Sequence, residues 1–92
     1  MDNTGQPTPA GTAPTVLVVD DNKGVLEFLL LLLSKHGLVA VGATGGVECL
    51  SIVKSRPVDL IVLDVMMPGM DGLEVARELK NICPAVPVIL LT

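Results

Sequence analysis

Three aspartates stand at the ends of two short apolar runs. Val16-Leu17-Val18-Val19 leads into Asp20-Asp21, and Leu60-Ile61-Val62-Leu63 leads into Asp64. If both runs are strands of one parallel sheet, their carboxyl ends share an edge, where open α/β sheets place their sites. With a strand order of 2-1-3-4, the first and third strands are neighbours. Asp20, Asp21 and Asp64 then converge in one crevice. Three carboxylates there repel each other. A hard divalent cation resolves the conflict: Mg²⁺ takes one or two carboxylates, a carbonyl and waters, and often shares its site with phosphate. One Asp remains free as a nucleophile toward a phosphoryl group. Taken singly, Asp20 and Asp21 also read as helix-capping residues and Asp64 as a turn residue. All three together, at paired strand ends, favour a site.

The elements that must hold these residues follow from the apolar pattern. Val16–Val19 is a first strand. Asn22 can cap a helix from about Lys23 to His36, with Gly37 as its stop. Leu38–Val41 is a second strand. Gly45-Gly46 precedes a short helix to about Ser55, and Pro57 follows. Leu60–Leu63 is a third strand, ending at Asp64. The loop Val65-Met-Met-Pro-Gly-Met-Asp-Gly72 leads to a helix from about Leu73 to Ile82, and Val88–Leu91 is a fourth strand. The strands are continuous apolar runs rather than alternating ones, so both sheet faces should be covered. Alternating strands and helices imply an α/β fold with a parallel sheet. Residues 1–14, MDNTGQPTPAGTAP, contain no Val, Leu, Ile or aromatic residue and read as a disordered tail or linker. The domain is expected over residues 15–92.

Composition excludes several classes. Of 92 residues, half are apolar, yet there is one Phe and no Trp or Tyr, so the core is aliphatic and stacking platforms for single-stranded nucleic acid are lacking. Six basic residues against ten acidic ones give a net charge of −4, which disfavours a direct DNA or RNA partner. Cys49 and Cys83 fit neither a disulfide framework nor a zinc site. With no apparent signal peptide, a cytoplasmic location is expected. The Leu29–Leu33 run is too short to span a bilayer, so no membrane partner is expected.

VLVVDDN, VDLIVLDVMMPGMDG and VPVILLT together resemble the receiver domain of two-component response regulators. The match spans residues 15–92. The resemblance implies a flavodoxin-like three-layer sandwich, and it supplies the 2-1-3-4 sheet order assumed above. It also implies a phosphorelay. Asp64 would take phosphate from a sensor histidine kinase or a histidine phosphotransfer protein. Mg²⁺ (or Mn²⁺) would be held by Asp21 directly, by Asp20 through water, by Asp64 and by the Met66 backbone carbonyl. Thr92, ending the fourth strand, would hydrogen-bond the phosphoryl group and report its arrival. Pro68, Gly69 and Gly72 would shape the loop, and Met67 and Met70 would be packing residues. Such a domain catalyses only its own phosphorylation and dephosphorylation.

The chain departs from that pattern after its fourth strand. The fourth helix, the fifth strand with its Lys, and the fifth helix would follow Thr92. Lys23, Lys35, Lys54 and Lys80 fall on expected helices instead. Right-handed crossovers put the first helix on one sheet face and the next two on the other. One helix cannot cover four strands, so part of that face and the edge of strand four should be bare. A fragment of a longer protein, a swapped or intertwined homo-oligomer, or a poorly stable monomer is expected. A well-folded monomer by light scattering would contradict this. The alternative function is a receiver-like interaction module that docks on a kinase or partner without being phosphorylated. A phosphatase would want a second Asp where Met66 stands.

On the first helix, at roughly 100° per residue, Val25, Phe28, Leu29, Leu32 and Leu33 share one face, taken as core. Leu26 lies at its border, and Leu30 and Leu31 fall outside. Leu30 is a candidate kinase contact, a scattered surface residue, or cover for the sheet surface expected to be bare. His36 suits the negative end of its helix dipole. The cysteines read as ordinary thiols, and Lys54 and Arg56 as solvated.

Overall fold

A computed structural model describes residues 12–69 and 71–92. Residues 1–11 of the expected tail, and the expected packing residue Met70, lie outside the described residues. The chain runs β1 (Thr15–Val19), α1 (Lys23–Lys35), β2 (Val39–Ala43), α2 (Gly46–Ser55), β3 (Leu60–Asp64), α3 (Gly72–Ile82) and β4 (Val88–Leu91). All pairings are parallel, and the sheet order is β2-β1-β3-β4. This is the flavodoxin-like arrangement that the resemblance implies.

The strands form where β-branched and Leu runs can be buried on both sides. On one face, Leu17, Val19, Ile61 and Leu63 pack with Cys49 of α2 and Val75 and Leu79 of α3. On the other, Val16 and Val18 pack with Leu26 of α1. Sheet hydrogen bonding starts at Pro14, whose carbonyl accepts from Val39 N–H at 2.8 Å. β2 begins and ends later than its apolar run suggests. Gly42 and Ala43 continue the ladder because they face Val18 and Val19 in register, and Asp20 N–H donates to Ala43 O at 3.0 Å.

The expected core face of α1 is wrong by one residue step. Leu26 is buried, and Leu29, Leu30 and Leu33 pack beside it. Val25, Phe28 and Leu32 are 44%, 63% and 42% exposed. Residues 25–33 are apolar except for Glu27, so stripes of the same spacing start at Val25 and at Leu26. Spacing alone cannot choose between them. The sheet chooses: Gly42 leaves a notch in β2, and a Cβ there would meet Leu30 Cδ1 at 2.9 Å and Leu26 Cδ2 at 3.2 Å. Leu30 is thus a packing residue and not the free surface contact that its angle suggested.

The expected bare surface is present. Among the described residues, α1 packs on β2 and β1, and β4 has one neighbouring strand, β3. Ile89, Leu90 and Leu91 are all among the exposed large apolar residues.

Candidate functional site

The pairing Val19↔Leu63 puts the next residues, Asp20 and Asp64, side by side where β1 and β3 end. Asp20 is buried, Asp64 half-buried and Asp21 exposed. One carboxylate oxygen from each lies within 4.8 Å of the others. The three acids singled out from sequence therefore do meet in one crevice.

Two of them are fixed by the same local device. Asp20 Oδ1 accepts from Asn22 N–H at 2.9 Å, and Asp64 Oδ1 accepts from Met66 N–H at 2.9 Å. Each is an Asp bonding the backbone two residues on, a turn the sequence allows at both places. Asn22 in turn caps α1, its Oδ1 accepting from Val25 N–H at 3.0 Å. Asp71 caps α3 through Leu73 and Glu74 N–H, at 3.1 and 3.2 Å. Capping is thus done by Asn22 and Asp71, which leaves Asp21 and the Oδ2 atoms of Asp20 and Asp64 for other work.

Burying a carboxylate is costly unless it is paired. Among the described residues the one ion pair is Arg77–Glu74, exposed on α3. No Lys or Arg there neutralises the crevice. An all-oxygen set of three carboxylates fits a hard divalent cation better than a soft one.

The loop after Asp64 supplies the other expected pieces. Met66 is exposed, and Met67 is buried in the core, as its packing role requires. Gly69, at φ 73°, makes a turn that a residue with a Cβ rarely adopts. Leu91 pairs with Asp64, and its carbonyl accepts from Val65 N–H at 3.1 Å. Thr92, the next residue, therefore stands at the same end of the sheet as the acids.

Other residues lie elsewhere. His36 Nδ1–H donates to Leu32 O at 2.9 Å, a helix-end role. Cys49, on the sheet-facing side of α2, is buried; burial, and then the nearby Cys83, pushes its thiol up to about 11. An open groove between α3 and β4, lined by Leu73, Ala76, Arg77, Lys80, Val88 and Leu90, contains no carboxylate and is separate from the crevice. No helix among the described residues is long and apolar enough to cross a membrane.

Residues 16–92 match the family model of the response regulator receiver domain. The response regulator MprA of Mycobacterium ulcerans (strain Agy99) is 46% identical over 77 residues, covering 84% of this chain and 33% of that protein. The chain thus spans about a third of the length of the curated relatives it matches. The response regulator TrrA of Thermotoga maritima, solved in complex with Mg²⁺-BeF, superposes with a TM-score of 0.80 at 39% identity, covering 86% of this chain and 69% of that one. In a second structure, the histidine kinase ThkA in complex with TrrA, the match has a TM-score of 0.79 at 39% identity, covering 86% and 68%. With its sheet order, its crevice of three aspartates and these matches, the chain belongs to the response regulator receiver domains of two-component systems.

Proposed function

We propose that this chain accepts a phosphoryl group on Asp64 from a histidine kinase or a histidine phosphotransfer protein. The observation that carries the reading is the convergence of Asp20, Asp21 and Asp64 within 4.8 Å at the ends of two adjacent strands. The similar TrrA was solved with Mg²⁺-BeF and with a histidine kinase. Asp20, Asp21, Asp64 and the Met66 carbonyl would hold Mg²⁺ (or Mn²⁺). Bound there, the ion offsets negative charge on the phosphoryl oxygens.

The chain's own residues then have distinct tasks. A carboxylate oxygen of Asp64 forms the new bond to phosphorus. The bond from phosphorus to the donor's histidine nitrogen breaks, and its electron pair stays on that nitrogen. Met66 N–H holds Asp64 Oδ1 and so fixes the plane of the carboxylate. Thr92, at the end of the neighbouring strand, donates its hydroxyl hydrogen bond to a phosphoryl oxygen. The added charge and acceptor oxygens then bias the position of Thr92 and β4. The donor docks on α1, where exposed Phe28, Leu31 and Leu32 take the place first considered for Leu30. The domain turns over no diffusible substrate, and a relay of this kind fits a cytoplasmic location.

Incubation with Mg²⁺ and a small acyl phosphate tests this reading. Intact mass should show one added phosphoryl group, absent in Asp64→Asn. No uptake by the unsubstituted chain would favour a docking module that is never phosphorylated.

A further inference from the structure

Gly72 opens α3, although glycine is a poor helix former beside alanine. Its backbone does not call for glycine, since positive φ angles occur at Gly37 and Gly69. Its surroundings do. A Cβ on Gly72 would lie 2.6 Å from Val65 Cα, 2.7 Å from Val65 Cβ and 2.9 Å from Val65 Cγ1. The nearest of these is a backbone atom, which cannot swing aside as a side-chain end can. Val65 is the residue between Asp64 and Met66. Its N–H is already tied to Leu91 O at 3.1 Å. Val65 is therefore gripped from β4 on one side and from the first turn of α3 on the other.

We propose that Gly72 is a positioning residue for the cation site. By letting α3 press directly on Val65, it sets where the Asp64 carboxylate and the Met66 carbonyl stand. This rests on the cation reading above. A side chain at position 72 forces Val65 to shift and carries both donors with it. Mutating groups that orient metal ligands typically costs about 10–100-fold in metal affinity.

The test compares two glycines in the 92-residue chain. Gly72→Ala alters the grip on Val65. Gly42→Ala alters core packing against α1, where the close atoms are the ends of Leu26 and Leu30. Mg²⁺ affinity is read by titration calorimetry and stability by urea unfolding. Gly72→Ala should weaken Mg²⁺ binding about tenfold or more. Gly42→Ala should lower stability and leave Mg²⁺ affinity unchanged. Equal affinity in Gly72→Ala and the unsubstituted chain overturns the proposal, as does an equal loss in both variants. If Gly72→Ala does not fold, Val65→Ala reads the same contact: it should also weaken Mg²⁺ binding, and unchanged affinity overturns the proposal. Absence of Mg²⁺ binding by the unsubstituted chain is a different result, which removes the cation reading itself.

Discussion

β3 and β4 are adjacent strands of one sheet, and both are Val, Ile and Leu runs, yet their surroundings are opposite. β3 is paired on both sides, and Ile61 and Leu63 are fully buried. β4 is paired on one side, and Ile89, Leu90 and Leu91 are 49%, 40% and 39% exposed. The acids sit on the better-held part: Asp64 ends β3, and Asp20 follows β1, the other central strand. Thr92 follows β4. Asp20 and Asp64, the proposed cation ligands and acceptor, thus stand at the ends of strands paired on both sides, while Thr92 follows a strand paired on one side among the described residues.

The contrast is broken most severely by mutating one leucine on each strand. Leu63→Ala should cost about 2–5 kcal/mol of folding stability. Leu91→Ala should cost roughly 1 kcal/mol or less, because much of that side chain is already in water. Urea midpoints measure both. Similar losses would mean that β4 is as well packed as β3, contrary to its exposure.

The two sides of α1 sharpen the same point at smaller magnitude. Leu30→Lys puts a charge against the Gly42 notch and should destabilise by about 1–2 kcal/mol. Phe28→Lys should change stability by less than about 0.5 kcal/mol while weakening phosphotransfer from a kinase. Thermal unfolding and a phosphotransfer assay separate the two. The reverse ranking would restore Leu30 as a surface contact.

The smallest effect concerns the covered face. A Cys thiol ordinarily ionises near 9.0, and burial raises Cys49 to about 11. Above pH 9 the unfolded chain releases this proton while the folded chain keeps it, so the folded state is the one penalised as pH rises. Stability should be unaffected by this group below pH 9, then fall between pH 9 and about 11. Cys49→Ala should lessen that fall. An identical alkaline decline in the variant would show that Cys49 is not the cause.

Much of this arrangement was legible in the residues. Continuous apolar runs marked the four strands, and the placement of Asp20, Asp21 and Asp64 at their ends implied the crevice once the resemblance supplied the 2-1-3-4 order. Those signals are strong because a strand's end is fixed by its neighbours in the sheet. α1 was legible as a helix but not in its orientation, because apolar residues at almost every position from 25 to 33 leave the stripe undetermined. The end of β2 was hidden because Gly42 and Ala43 carry little strand signal of their own and are held by register with Val18 and Val19. Gly72 could be named as architectural. Its reason, the close approach to Val65, depends on two segments meeting in space.

The central claim is that Asp64 is the phosphoryl acceptor. The most direct test treats the chain with Mg²⁺ and a small acyl phosphate, traps any acyl phosphate with borohydride, and locates the reduced residue by peptide mass spectrometry. Reduction is expected at Asp64 alone, dependent on Mg²⁺. Reduction at Asp20 or Asp21, or none at any aspartate despite a folded chain that binds Mg²⁺, would contradict it.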